Sequence, residues 1–129
     1  MPDILIEVSG AWLEGRQTAF LETVHGAVVR ALNTPDDEPL ARLVEHPAVN
    51  YLTPHSAGEC FTRIEIALFK GRSLDVKRRL YQELAHSLGP FGVPSADVKV
   101  VLVEVPPENV GFRGGQAASD VDIGYAIDI

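Results

Sequence analysis

Residues 61–109 read FTRIEIALFKGRSLDVKRRLYQELAHSLGPFGVPSADVKVVLVEVPPEN, and the fold follows from how that stretch divides. Phe61–Phe69 alternates apolar and polar positions, the pattern of a half-buried strand. Lys70-Gly71-Arg72-Ser73 makes a turn, with Ser73 placed to cap a helix. Leu74, Lys77, Leu80, Tyr81, Leu84, Ala85 and Leu88 then recur at helical spacing, Lys77 being the one polar member of the stripe. Gly89-Pro90 stops that helix, and Val98–Val105 is a strongly β-branched strand. Strand, helix, strand in this order implies a parallel pair joined by a right-handed crossover.

The preceding half repeats the plan. Ile4–Val8 is a strand, and from Arg16 onward Phe20, Leu21, Val24, Ala27, Val28, Ala31 and Leu32 mark the buried face of a helix. Asn33–Pro39 is a loop with two prolines and three acids, and Leu40–His46 is a second strand. Gly15-Arg16 recurs as Gly71-Arg72, Leu32 as Leu88, and Pro35 as Pro94. Leu43-Val44-Glu45 recurs as Leu102-Val103-Glu104, while Pro47 and Asn50 match Pro106 and Asn109. The internal repeat covers roughly residues 2–50 and 61–109 of one domain spanning 1–129. The expected fold is α+β, a two-layer α/β sandwich. Duplicated β-α-β units form a four-stranded mixed sheet with two helices on one face, related by a pseudo-twofold axis. Tyr51–Glu59 reads as irregular or a small hairpin, and Val121–Ile129 alternates enough to add a C-terminal strand or hairpin extension.

Composition narrows the function. Hydrophobic residues make up 46% and charged residues 22%, a globular balance. A net charge of −7 argues against a nucleic-acid partner, which calls for a basic stripe to neutralise phosphates. A small anionic substrate remains compatible, because a few convergent cations dominate one pocket locally. The single cysteine, Cys60, forms no intrachain framework and fits a reducing compartment. No apolar run is long enough for a membrane helix and no signal pattern opens the chain, so a cytoplasmic protein without a membrane partner is expected. The histidines lack metal-ligand spacing, and the glycine-rich stretch at 111–115 lacks a phosphate-cradle pattern. Neither metal nor cofactor is expected.

The repeat also gathers charge at one pole. With the first and third strands antiparallel, Lys70 and Arg72 fall beside the start of the chain, Met1-Pro2-Asp3. The loop Asp36-Asp37-Glu38 leads into the second strand at the same end. Once Met1 is removed, Pro2 carries a secondary amine whose charge neighbouring cations or carboxylates would set. Arg16 lies at the opposite pole, where it reads as a helix-entry residue.

Pro2 opening a strand, the paired strand–helix–strand plan and the Gly71-Arg72-Ser73 turn together resemble the tautomerase superfamily. The wording from Ile64 to Gly115 is similar to its malonate semialdehyde decarboxylase-like and 4-oxalocrotonate tautomerase-like members. The resemblance implies a homotrimer without cofactor, acting on small 2-oxo or 3-oxo acids through the proline amine. It makes Pro2 the catalytic amine and Arg72 the holder of the substrate carboxylate. Lys70 stands where the decarboxylases carry a second arginine, keeping the charge but not the bidentate fork. The catalytic acid falls at Asp37, with Glu38 as the neighbouring choice. Of two pocket aromatics, Phe112 is retained and the other is replaced by Val110. His25, on the first helix, aligns with a histidine of several relatives. The implied activity is keto–enol tautomerisation with Pro2 as base. A decarboxylase or hydratase with cationic Pro2 is the alternative, and a non-catalytic trimeric scaffold the third.

Overall fold

Strand β1 (Asp3–Ser9) buries Ile4, Ile6 and Val8 completely and turns Asp3, Leu5, Glu7 and Ser9 the other way. That period of two makes it the centre of the molecule. The computed structural model describes residues 1–129. β1 pairs in parallel with β2 (Ala41–His46) and antiparallel with β3 (Thr62–Phe69), and β3 pairs in parallel with β4 (Val98–Val105). The order β2-β1-β3-β4 is that of two β-α-β units meeting at β1 and β3. Register sets Ala41, Ile4, Ile66 and Leu102 in one row, and Leu43, Ile6, Ile64 and Val100 in the next. Helices α1 (Gln17–Leu32) and α2 (Leu74–Ser87) cover those rows, and 17 buried residues form one continuous core. The repeat reaches into turn chemistry: Asn50 N–H donates to Pro47 O at 2.8 Å, and Asn109 N–H to Pro106 O at 2.9 Å.

Helix α1 buries the expected stripe except Leu21, which is only partly covered. Ser73 caps α2 by accepting from the Val76 amide at 3.3 Å. The buried stripe of α2 is Val76, Leu80 and Leu84, continued by Leu88; Leu74 is 57% exposed and Tyr81 36%. Leu74 is the first residue of the helix, off the face that Val76, Leu80 and Leu84 form at i, i+4 spacing.

The extension takes the hairpin form of the expectation, and it lies before the tail instead of within it. A hairpin of β5 (Gly111–Phe112) and β6 (Gln116–Ala117) lies inside the glycine-rich stretch, whose connecting residues Arg113, Gly114 and Gly115 all have positive φ (49°, 83° and 95°). Val121–Ile129 forms no strand. The Asp122 carboxylate accepts from the Gly124 amide at 2.9 Å, and Gly124 has φ 84°, so the chain turns where alternation predicted extension.

Candidate active site

The amino end of β1 lies between the start of β2 and the end of β3. The Ile4 amide donates to Leu40 O at 3.0 Å, and Asp3 pairs with Ala67. Pro2, on the same parity as Ile4, is buried. The turn after β3 and the loop before β2 reach this end, so the topology does collect the residues the repeat assigns to one pole.

The two repeat-related arginines have opposite fates. Arg16 is exposed and has spent its donors on nearby carbonyls: Leu13 O at 2.9 Å, Trp12 O at 3.2 Å and Phe91 O at 3.4 Å. It also stacks over the Phe91 ring at 5.5 Å. Arg72 is only 6% exposed, and its Nη1 donates to Phe69 O at 2.8 Å, but Nε and Nη2 are buried without a partner. Trp12 Nε1 and Thr34 Oγ1 are also unpartnered, yet neither is charged. Burial pulls the Arg72 guanidinium below the ordinary arginine range, opposed by Tyr125, through charge and a side-chain contact that falls outside hydrogen-bond geometry, and by the Glu104 charge. A buried cation with free donors is costly, and an anion seated on it removes that cost.

Tyr125 belongs to the irregular tail and stands against Arg72. Its hydroxyl donates to the Met1 carbonyl at 2.6 Å, across 124 residues of sequence. Burial raises its pKa above the usual tyrosine value of 10.0, with the Arg72 charge opposing and the Glu38 charge assisting. Sequence reasoning passed over this residue, because no local signal shows where an irregular tail will dock. The Glu38 charge reaches Tyr125, although Asp36, Asp37 and Glu38 are all exposed. None of the three enters an ion pair. Lys70 is exposed, and its charge helps hold Glu104 below the ordinary carboxylate range, after the larger effect of the Lys77 ammonium 2.9 Å away.

At the same end of β1, Met1, Asp3, Leu40, Asn109, Val110, Gly111 and Phe112 line a cleft of about 400 Å³. The Arg113 guanidinium lies 4.8 Å over the Phe112 ring, fixing that wall. Met1 joins the two parts, lining the cleft while its carbonyl holds Tyr125. His25 lines a separate cleft with Leu21, Glu22, Pro39 and Ala41, and its Nε2 lies 3.4 Å from Asp36 O. Three or more His, Cys, Asp or Glu side chains nowhere converge as a metal site would require.

A sequence model of a family described as "Tautomerase enzyme" matches residues 39–113. Among solved structures, FG41 malonate semialdehyde decarboxylase inhibited by 3-bromopropiolate is 24% identical with a TM-score of 0.82, covering 90% of this chain and 92% of that one. A fused 4-OT in a symmetric trimer is 24% identical with a TM-score of 0.80, covering 92% and 97%. A second malonate semialdehyde decarboxylase, described for its decarboxylase and hydratase activities, is 19% identical with a TM-score of 0.80, covering 93% and 99%. At these identities the solved structures establish the shared fold.

Proposed function

The chain belongs to the tautomerase family, and from that premise we propose that it is a keto–enol tautomerase of small 2-oxo carboxylic acids. Pro2 is the general base once Met1 is removed. The observation that carries this reading is the buried Arg72 guanidinium with Nε and Nη2 unpartnered, at the pole where the buried Pro2 begins the central strand. The substrate carboxylate pairs with Arg72, aided by the exposed positive charge of Lys70. Neutral Pro2 takes a proton from the enol hydroxyl or, in reverse, from carbon, and returns it at the other site. Arg72 stabilises the enolate between the two transfers. Phe112 and Val110 wall the cleft and limit water.

With Met1 in place the Pro2 nitrogen is an amide and neither base nor acid. Mass spectrometry of the purified protein decides that point, and retained Met1 would favour the non-catalytic scaffold. The processed protein is then offered 2-hydroxymuconate and phenylenolpyruvate, following ketonisation. Rapid turnover that Pro2→Ala abolishes is the expected result. Equal behaviour of parent and Pro2→Ala overturns the reading.

The Glu38 charge reaching Tyr125, whose hydroxyl holds the Met1 carbonyl, favours a second reading. A carboxylate close enough to keep Pro2 cationic makes it the acid of a 3-oxo acid decarboxylase or a hydratase, the activities described for one similar structure. Asp37, the residue the resemblance assigns, and Glu38, whose charge reaches Tyr125, are the two choices for that acid. Titrating the Pro2 amine separates the two, around the reference value of about 8. A value well below it favours the tautomerase, and one above it the decarboxylase or hydratase. Carbon dioxide release from malonate semialdehyde gives the same answer independently. Self-association as a homotrimer completes the proposal, in line with the symmetric trimer of a fused 4-OT.

A further inference from the structure

Tyr125 is the one neutral donor aimed at the atoms around the Pro2 nitrogen. Its hydroxyl reaches the Met1 carbonyl oxygen at 2.6 Å, and that carbonyl carbon is bonded directly to the Pro2 nitrogen. The tail is anchored to deliver it. Ser73 Oγ donates to Ile129 O at 3.0 Å, and Arg113 Nη1 to Asp122 O at 3.2 Å. The Ile127 carbonyl packs so closely on Gly71 that a Cβ there would lie 2.8 Å from it. When Met1 leaves, the phenol loses its acceptor while the tail anchors remain. The oxygen it held lay within one peptide bond of the reactive amine. A substrate oxygen hydrogen-bonded to that amine would lie within reach of the same phenol.

We propose that Tyr125 is a catalytic hydrogen-bond donor that holds the substrate's carbonyl or enolate oxygen beside Pro2 while Arg72 holds the adjacent carboxylate. This rests on the tautomerase reading above. Two donors side by side, a buried cation and a phenol, match the two oxygens on neighbouring carbons of a 2-oxo acid. A 3-oxo acid places its carbonyl one carbon further from the carboxylate and fits the pair less well. The proton path stays balanced: Pro2 takes and returns the proton, and Tyr125 keeps its own hydrogen throughout.

The test uses processed full-length protein and phenylenolpyruvate. Tyr125→Phe keeps the ring and the tail packing, and it lowers kcat by about 10²-fold, the loss typical of a removed oxyanion donor, with KM nearly unchanged. Site-specific replacement of Tyr125 by 3,5-difluorotyrosine, the same shape with a more acidic phenol, moves the basic limb of the kcat profile to lower pH. That second measurement decides the matter should Tyr125→Phe fold poorly. Full activity in Tyr125→Phe, or an unmoved pH profile in the fluorinated protein, overturns the role of Tyr125 provided Pro2→Ala is inactive. If Pro2→Ala also retains full activity, the tautomerase reading falls and the role of Tyr125 with it.

Discussion

Arg16 and Arg72 occupy the same place in the two repeats, and their environments assign them opposite work. Arg16 stabilises the fold through backbone carbonyls and the Phe91 ring, whereas Arg72 is a buried charge with idle donors. An apolar side chain of similar volume removes the desolvation cost of a buried charge whose donors lack partners. Arg72→Met is therefore expected to melt at or above the parent temperature while losing substrate binding, read as a large rise in KM. Arg16→Ala should do the reverse, costing about 1 kcal/mol with KM unchanged. Thermal melts beside steady-state kinetics on both variants check the pair, and a destabilised Arg72→Met would refute the account. Glu104 supplies a pH test nearby. The Lys77 hydrogen bond holds its carboxyl below the ordinary value of 4.5. A depressed folded-state pKa gives stability that is present above the unfolded value and is lost as pH falls through the folded one. Glu104→Gln should therefore lower stability at about pH 7, and the difference should vanish at a pH below the lowered folded-state value. Urea unfolding at both pH values is the measurement.

At the scale of elements, the Gly71 turn and the tail act as one unit. Gly71 has φ 148°, and an added Cβ would lie 2.8 Å from the Ile127 carbonyl. Gly71→Ala should strain the turn and lift the tail, costing about 1–3 kcal/mol. Limited proteolysis should then cut within 121–129 far sooner than in the parent. Unchanged protease resistance would show that the tail does not depend on this contact. The same unit explains what the sequence concealed. Strands and helices were legible because each carries its own period: Ile4, Ile6 and Val8 alternate, and Phe20, Val24, Ala27, Val28 and Ala31 recur at helical spacing. The repeat then placed Lys70, Arg72 and Asp36–Glu38 at the pole of Pro2 without any contact being known. Tyr125 was not legible, since its position depends on carbonyls meeting Ser73 and Gly71, contacts with no periodic signature. Alternation in Val121–Ile129 pointed to a strand that Gly124 breaks. The β5–β6 hairpin was hidden because Gly114 and Gly115 read as loop without disclosing the short pairing on either side.

For the whole molecule, the pseudo-twofold plan makes two similar ends, and the candidate site lies at the one where Tyr125 meets Met1. The other notable surface is the segment after β2. Tyr51 stacks on His46 with ring centroids 5.0 Å apart, and His46 Nε2 lies 2.8 Å from Glu7, so the segment is held to the sheet. Held in this way, Val49 is 92% exposed and Leu52 97%. The outer sheet face beside it mixes the ion pairs of Glu7, Arg63 and Glu65 with Val44 and Val103, which are 38% and 41% exposed. Two large apolar side chains fixed outward on an ordered segment mark an interaction surface, and the proposed trimer supplies the partner. Burying each is worth about 1.5–3 kcal/mol, so losing both should weaken association by roughly 10²-fold or more. Analytical ultracentrifugation should find the parent trimeric and Val49→Asp/Leu52→Asp monomeric, with the same circular dichroism. Exposed substitutions leave the core of Ile4, Ile6, Phe20 and Leu84 intact, so a monomer produced by them reports on assembly and not on folding. A parent that sediments as a monomer at micromolar concentration would sink the trimer, and a double variant that stays trimeric would move the interface elsewhere.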